Sequence, residues 1–128
     1  MSQIMHKVEH HHPAHPLKQV FIKTEKGCKG QIIDDIIYIC SKNGCTVFHT
    51  VDNKEQTCSE TLDYYEAQLA DYHFVRIHNN TLMNMDFFKE YHKGRGGDVE
   101  LLNGEILIVS PNGKVRLDLI TKGKNHPH

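Results

Sequence analysis

The chain has 128 residues, 15 Lys and Arg against 16 Asp and Glu, 38% hydrophobic and 24% charged residues; that is room for one domain with a real core, plus a tail. A formal net charge of −1 excludes a nucleic-acid binder that works through bulk positive charge, though not one with a local basic face. No run approaches the roughly 18 apolar residues of a membrane span, and residues 1–20 are too polar and His-rich for a secretion signal. The expected location is cytoplasmic, with no membrane partner.

Residues 1–19 differ from the rest. Five of the eleven histidines lie there (His6, His10, His11, His12 and His15), and Pro13 and Pro16 interrupt any helix. Imidazoles of a mobile segment can converge on a transition metal, but nothing closes a fixed site. The segment reads as a linker or tail, and no metal and no cofactor is expected. Cys28, Cys40, Cys45 and Cys58 contain no C-x-x-C pair, which argues against structural zinc and for reduced thiols. The sequon Asn79-Asn80-Thr81 is idle in a chain that is not exported.

From Val20 the pattern is β-rich. Val20–Thr24 reads as a strand stopped by Lys26-Gly27, and Gln31-Ile32-Ile33 leads into a turn at Asp34-Asp35. Ile36–Cys40 is a near-continuous apolar run, as a buried strand requires. Asn43-Gly44 is a hairpin signal, and Cys45–Val51 is its return strand. Ser59 then caps a helix over about 59–70, in which Leu62, Tyr65 and Leu69 form one apolar stripe. Phe74–His78 alternates as a strand, Thr81–Asn84 reads as a turn, and Phe87–Tyr91 follows. Val99–Leu102 and Glu105–Val109 flank Asn103-Gly104, a second hairpin of the same type. Ser110-Pro111-Asn112-Gly113 breaks the chain, and Lys114–Ile120 fits either a strand or a short helix. The fold expected is mainly β: short antiparallel strands with one short helix. It occupies residues 20–121, and residues 122–128 form a disordered tail.

Enzyme signatures are missing. Gly94-Arg95-Gly96-Gly97 lacks the Gly-Lys-Ser/Thr of a phosphate loop, and no Gly-x-Ser-x-Gly elbow occurs. Asp34 and Asp35 are strand-end neighbours that point to opposite faces and cannot share a substrate. His78 has no nucleophile in a context to partner it. No catalytic residue is expected. The polar residues that stand out lie at element ends: Lys42-Asn43-Gly44-Cys45, His78-Asn79-Asn80 and Asn112-Gly113-Lys114. Asn carries donor and acceptor and can read an adenine edge, and Lys meets phosphate or guanine. The same residues also make ordinary turns.

In chain order, Phe74-Val75-Arg76-Ile77-His78-Asn79-Asn80-Thr81-Leu82-Met83-Asn84 resembles the signature of the LytTR-type DNA-binding domain, the output domain of LytR/AlgR/AgrA-class response regulators. Asp34-Asp35-Ile36-Ile37-Tyr38-Ile39 is similar to that family's D-D-I-x-Y-I strand. Thr61-Leu62 with Tyr65 and Leu69 resembles its helix, and Val99-Glu100-Leu101-Leu102-Asn103-Gly104 through Val109-Ser110 its hairpin. The resemblance spans about residues 20–116. It implies an elongated β domain that reads double-stranded promoter DNA, in direct repeats, by loops inserted into the major groove. The DNA-binding candidates so implied are Lys42, Asn43 and Cys45 in the first loop, and Asn79 and Asn80 in the second, with Arg76 and His78 beside them. Asn112 and Lys114 are the candidates in the third. A sensor kinase or an upstream receiver domain is the further partner implied.

The sequence departs from the pattern where Pro111-Asn112-Gly113 replaces the usual Arg and where Asn80 follows His-x. From residue 20 onward, 13 Lys and Arg face 15 Asp and Glu, whereas phosphate contacts supply much of any affinity for DNA. The alternative is therefore a LytTR-like protein-interaction module that has lost strong DNA binding. A third reading is a metal- or redox-sensing version that uses the N-terminal histidines or Cys40 and Cys45.

Overall fold

The apolar run near the start of the chain becomes the middle of the molecule. The computed structural model describes residues 18–94 and 96–124; the His-rich segment expected at 1–19 lies outside them, apart from Lys18 and Gln19. The chain runs through β1 (Gln19–Thr24), β2 (Gly27–Ile32), a 3-10 turn at Ile33–Asp35, β3 (Ile36–Lys42), β4 (Cys45–Thr50) and β5 (Glu55–Cys58). Helix α1 (Leu62–Gln68), β6 (Phe74–His78), β7 (Thr81–Asn84) and a 3-10 turn at Met85–Phe87 follow. The rest is β8 (Phe88–His92), β9 (Asp98–Leu101), β10 (Ile106–Ile108) and α2 (Pro111–Lys124). All strand pairs are antiparallel: a β1–β2 hairpin, a five-stranded sheet in the order β5-β4-β3-β7-β6, and a three-stranded sheet β10-β9-β8.

β3 is central and buried on both faces. Ile36 and Ile39 pack with Val20, Ile22, Phe48, Leu62, Tyr65 and Leu69, so the β1–β2 hairpin and α1 cover one side. Ile37 and Tyr38 pack with Val75, Ile77, Val99, Leu101 and Leu117, so the small sheet and α2 cover the other. A register shift between Ile36 and Tyr38 lets Ile36 and Ile39, three residues apart, share a face. Two-sided burial is why this strand reads as a continuous apolar run.

The turn signals hold with one change of type. Asn43 and Gly44 have φ of 54° and 81°, the two positive angles of a type I′ hairpin. The second hairpin differs: Gly104 alone is left-handed, at φ 91°, and Leu101 N–H reaches Glu105 O at 2.9 Å, a three-residue loop rather than the same two-residue type.

Three further expectations are corrected. Helix α1 is capped by Thr61, whose Oγ1 accepts from Tyr64 N at 3.1 Å; Ser59 instead ties β5 to β1 by donating N–H and Oγ–H to Lys23 O. Thr81–Asn84 is a buried strand, not a turn. Asn84, at its end, donates Nδ2–H to Ile36 O at 2.8 Å and accepts from Asp86 N at 3.0 Å. Finally, the described residues hold two α-helices. Pro111 suits a first helical position, where no N–H is required, and Ser110 Oγ accepts from Gly113 N at 3.0 Å, so the segment read as a break starts α2. The helix runs through Lys124, which puts the domain boundary expected at 121 inside it.

Gly113 sits where α2 crosses β6. A methyl group there would overlap the Ile77 carbonyl. Gly113→Ala, which on an open helix gains up to about 1 kcal/mol, is expected to destabilise by about 1–3 kcal/mol through overpacking. Val115→Ala, at an exposed position of the same helix, is expected to stay within about 0.5 kcal/mol of the parent. Urea denaturation of both variants checks this.

Candidate nucleic-acid interface

The three polar tips singled out in the sequence meet at one end of the five-stranded sheet. Lys42, Asn43 and Cys45 are exposed at the β3–β4 turn, and Asn79 and Asn80 are exposed at the β6–β7 turn. Ser41 N–H donates to Asn80 O at 2.9 Å, which locks the two turns side by side. The third segment joins through β6: Ser110 N–H donates to Ile77 O at 2.9 Å. Asn112 is exposed in the first turn of α2.

The individual side chains divide into two groups. His78 Nδ1 accepts from Asn80 N at 3.2 Å, and Asn80 Oδ1 accepts from Thr81 Oγ1 at 2.9 Å, so both brace the turn. The Asn79 carboxamide takes no part in these hydrogen bonds. Arg76 is turned inward with its side chain 13% exposed. Its Nη1 reaches Asp63 at 2.9 Å and Glu66 at 2.6 Å on α1. Its Nε and Nη2 donate to the carbonyls of His78 and Asn79. Lys114 is half-buried, with its stem lying over Gly97.

One cation was missed. Arg116 is exposed, shares a cleft with Asn79 and Asn112, and donates from Nη1 to Arg76 O at 2.9 Å. Reading 111–124 as a helix would have revealed it, because Arg116 follows Asn112 by four residues on one face.

Carboxylates lie at both ends: Asp63 and Glu66 line the same cleft as Asn79, Asn112 and Arg116. Asp34, Asp35, Asp52, Asp71 and Asp86 all lie in turns at the opposite end of the five-stranded sheet. At the Asn79 end the exposed cations Lys42 and Arg116 stand beside the Asp63 and Glu66 carboxylates, which Arg76 pairs.

Comparison with known proteins accords with this arrangement. Residues 31–120 match the LytTr DNA-binding domain. The chain belongs to that family. The LytTr match includes all three tips. The domain is 39% identical over 56 residues to the transcriptional regulatory protein LytR of Staphylococcus aureus (strain N315), covering 44% of this chain and 22% of that protein. It is 40% identical over 52 residues to the sensory transduction protein LytR of Staphylococcus saprophyticus, covering 41% and 20%. The chain thus spans about a fifth of the length of these curated relatives. A LytTr DNA-binding domain from Bacillus cereus superposes with a TM-score of 0.68 at 21% identity, covering 80% of this chain and 95% of that one. The mainly β architecture is that of this fold.

Outside the tips, the LytTr domain carries two clusters of titratable groups. On β8 and β9, Glu90, His92 and Glu100 bring ligand atoms within 4.8 Å of one another. They are already engaged in pairs: His92 with Asp98 at 2.7 Å and Lys89 with Glu100 at 3.4 Å. Behind the Lys42 tip, the His49 ring stacks on Tyr38 at 4.2 Å, and its Nε2 lies 3.5 Å from Cys40 Sγ. Tyr38 OH donates to Glu105 at 2.7 Å. Burial pushes the Cys40 thiol up, which disfavours the thiolate that a Cys40-based redox sensor needs. All four cysteines are free, with Cys58 buried.

Burial also lowers His49 below its usual value of 6.5. The folded domain therefore keeps this imidazole neutral while the unfolded chain takes up a proton, so its contribution is full above pH 6.5 and is lost as pH falls below it. His92, raised chiefly by its hydrogen bond to Asp98, acts in the opposite sense, contributing below pH 6.5 and losing that contribution as pH rises. Denaturation midpoints of the parent and of His49→Phe, compared between pH 7 and 5, are expected to show a smaller acid loss in the variant.

Proposed function

We propose that this domain binds duplex DNA sequence-specifically as the output module of a transcriptional regulator. In this reading the Lys42–Cys45 turn, the Asn79–Asn80 turn and the start of α2 approach base edges in the major groove. The observation that carries it is the convergence of the three segments on one end of the sheet, locked by the Ser41–Asn80 and Ser110–Ile77 hydrogen bonds. Short turns on a rigid sheet reach base edges that flat strands cannot. An exposed carboxamide at Asn79 is the group suited to bidentate recognition of adenine. Lys42 and Arg116 supply phosphate contacts, and Asn112 stands where an Arg would read guanine. Promoter direct repeats, a cytoplasmic location and an upstream receiver domain or sensor kinase complete the reading.

The second reading is an interaction module without strong DNA binding. It is favoured by one specific observation: two of the expected cations are withdrawn, Arg76 into a carboxylate pair and Lys114 over Gly97.

Selection of duplexes from random DNA at low salt, followed by affinity measurement, separates the two. Asn79→Ala is expected to lose about 1–3 kcal/mol on the selected site with its melting temperature unchanged. Equal affinity in the variant would remove Asn79 from the reading turn. Lys42→Ala is expected to weaken binding to all sequences and to flatten the salt dependence by about one unit. Asn112→Arg is expected to sharpen discrimination under the third segment by about 1–3 kcal/mol. Failure of Asn112→Arg to bind any duplex at about 50 mM salt, where phosphate contacts are strong, would establish the interaction module instead.

A further inference from the structure

We propose that Arg76 is a positioning residue that presets the Asn79 turn, and that it makes no phosphate contact of its own. This rests on the DNA reading above. Three successive backbone carbonyls at the turn accept hydrogen bonds from other parts of the protein. His78 O accepts from Arg76 Nε at 3.2 Å, Asn79 O from Arg76 Nη2 at 2.6 Å, and Asn80 O from Ser41 N at 2.9 Å. Two of the three therefore depend on one guanidinium.

That guanidinium is in turn fixed from behind. Asp63 and Glu66 are three residues apart, hence neighbours on one face of α1, and both accept from Nη1. Of the five guanidinium N–H groups, four are directed to protein acceptors: one from Nε, two from Nη1 and one from Nη2. The planar fork is what permits this, since it presents donors in fixed directions to two carbonyls and two carboxylates at once. The two carboxylates also offset the charge that a phosphate would seek. Arg76 O accepts from Arg116 Nη1 at 2.9 Å, so α2 is tied to the same residue.

A turn held at every carbonyl offers the Asn79 side chain to a base without first being ordered, and that is how pre-organisation raises specificity. Lysine at 76 would keep the charge but not the fork.

The test uses the full chain with Arg76→Gln, Arg76→Lys, Glu66→Gln and Asn79→Ala, and two readouts. The first is amide hydrogen exchange at Ser41 and Asn80 without DNA. The second is affinity for the selected duplex and a scrambled duplex across a salt series. Both Arg76 variants are expected to speed exchange at these two amides at least tenfold relative to the β3 centre, and to lower discrimination at least tenfold. Binding to scrambled DNA and the salt slope stay at the parent values, and lysine does not rescue. Glu66→Gln, which leaves the fork in place, shows the same changes to a smaller extent and decides the matter if the Arg76 variants fail to fold. Unchanged exchange with a salt slope reduced by about one unit in Arg76→Gln would overturn the proposal and make Arg76 a phosphate contact. If Asn79→Ala discriminates as well as the parent, the DNA reading of the turn fails, while the exchange result still decides whether Arg76 presets it.

Discussion

Burial of β3 on both faces is the constraint on which the rest of the domain depends. A strand whose side chains are apolar in both directions needs two covers, and the chain supplies them from different regions. The β1–β2 hairpin and α1 close one side, and β8–β10 with α2 close the other. Once both faces are closed, β3 has no surface left for a partner except its end. This is why the exposed polar residues gather at turns, and why a partner meets loops rather than strands.

The two ends of the sheet then differ in chemistry. One end has Asn43, Asn79, Asn112, Lys42 and Arg116 exposed. The other carries five aspartates in its turns. The total charge, taken from the sequence, does not tell which turns share an end, because pairing of distant turns at one end is a property of the topology.

Much of the fold was legible because its signals are local. The Ile36–Ile39 run, the Asn43-Gly44 turn and the Leu62-Tyr65-Leu69 stripe each rest on residues within one element, and each is found in the structure. The failures share a cause: residues whose role is set by a distant partner. Asn84 looks like a turn residue until its bond to Ile36 O, 48 positions away, is seen. Gly113 looks like a turn glycine but is required by the Ile77 carbonyl. The candidate site shows the same division. Its three segments stood out as polar element ends and took a DNA-binding expectation from the family resemblance, whereas the inward set of Arg76 depends on Asp63 and Glu66 of α1, and Arg116 comes into view only once 111–124 is read as a helix.

The peptide carbonyl of Ile77 has a consequence of its own. It accepts from Ser110 N and lies against Gly113, so a single peptide plane is the shared fulcrum of the Asn79 turn and the first turn of α2. The two cannot move apart or together without breaking that contact. If a duplex spans both segments, the spacing between them acts as a gauge: a duplex whose groove already matches it is bound as it stands, and one that does not has to deform at a cost set by its own sequence.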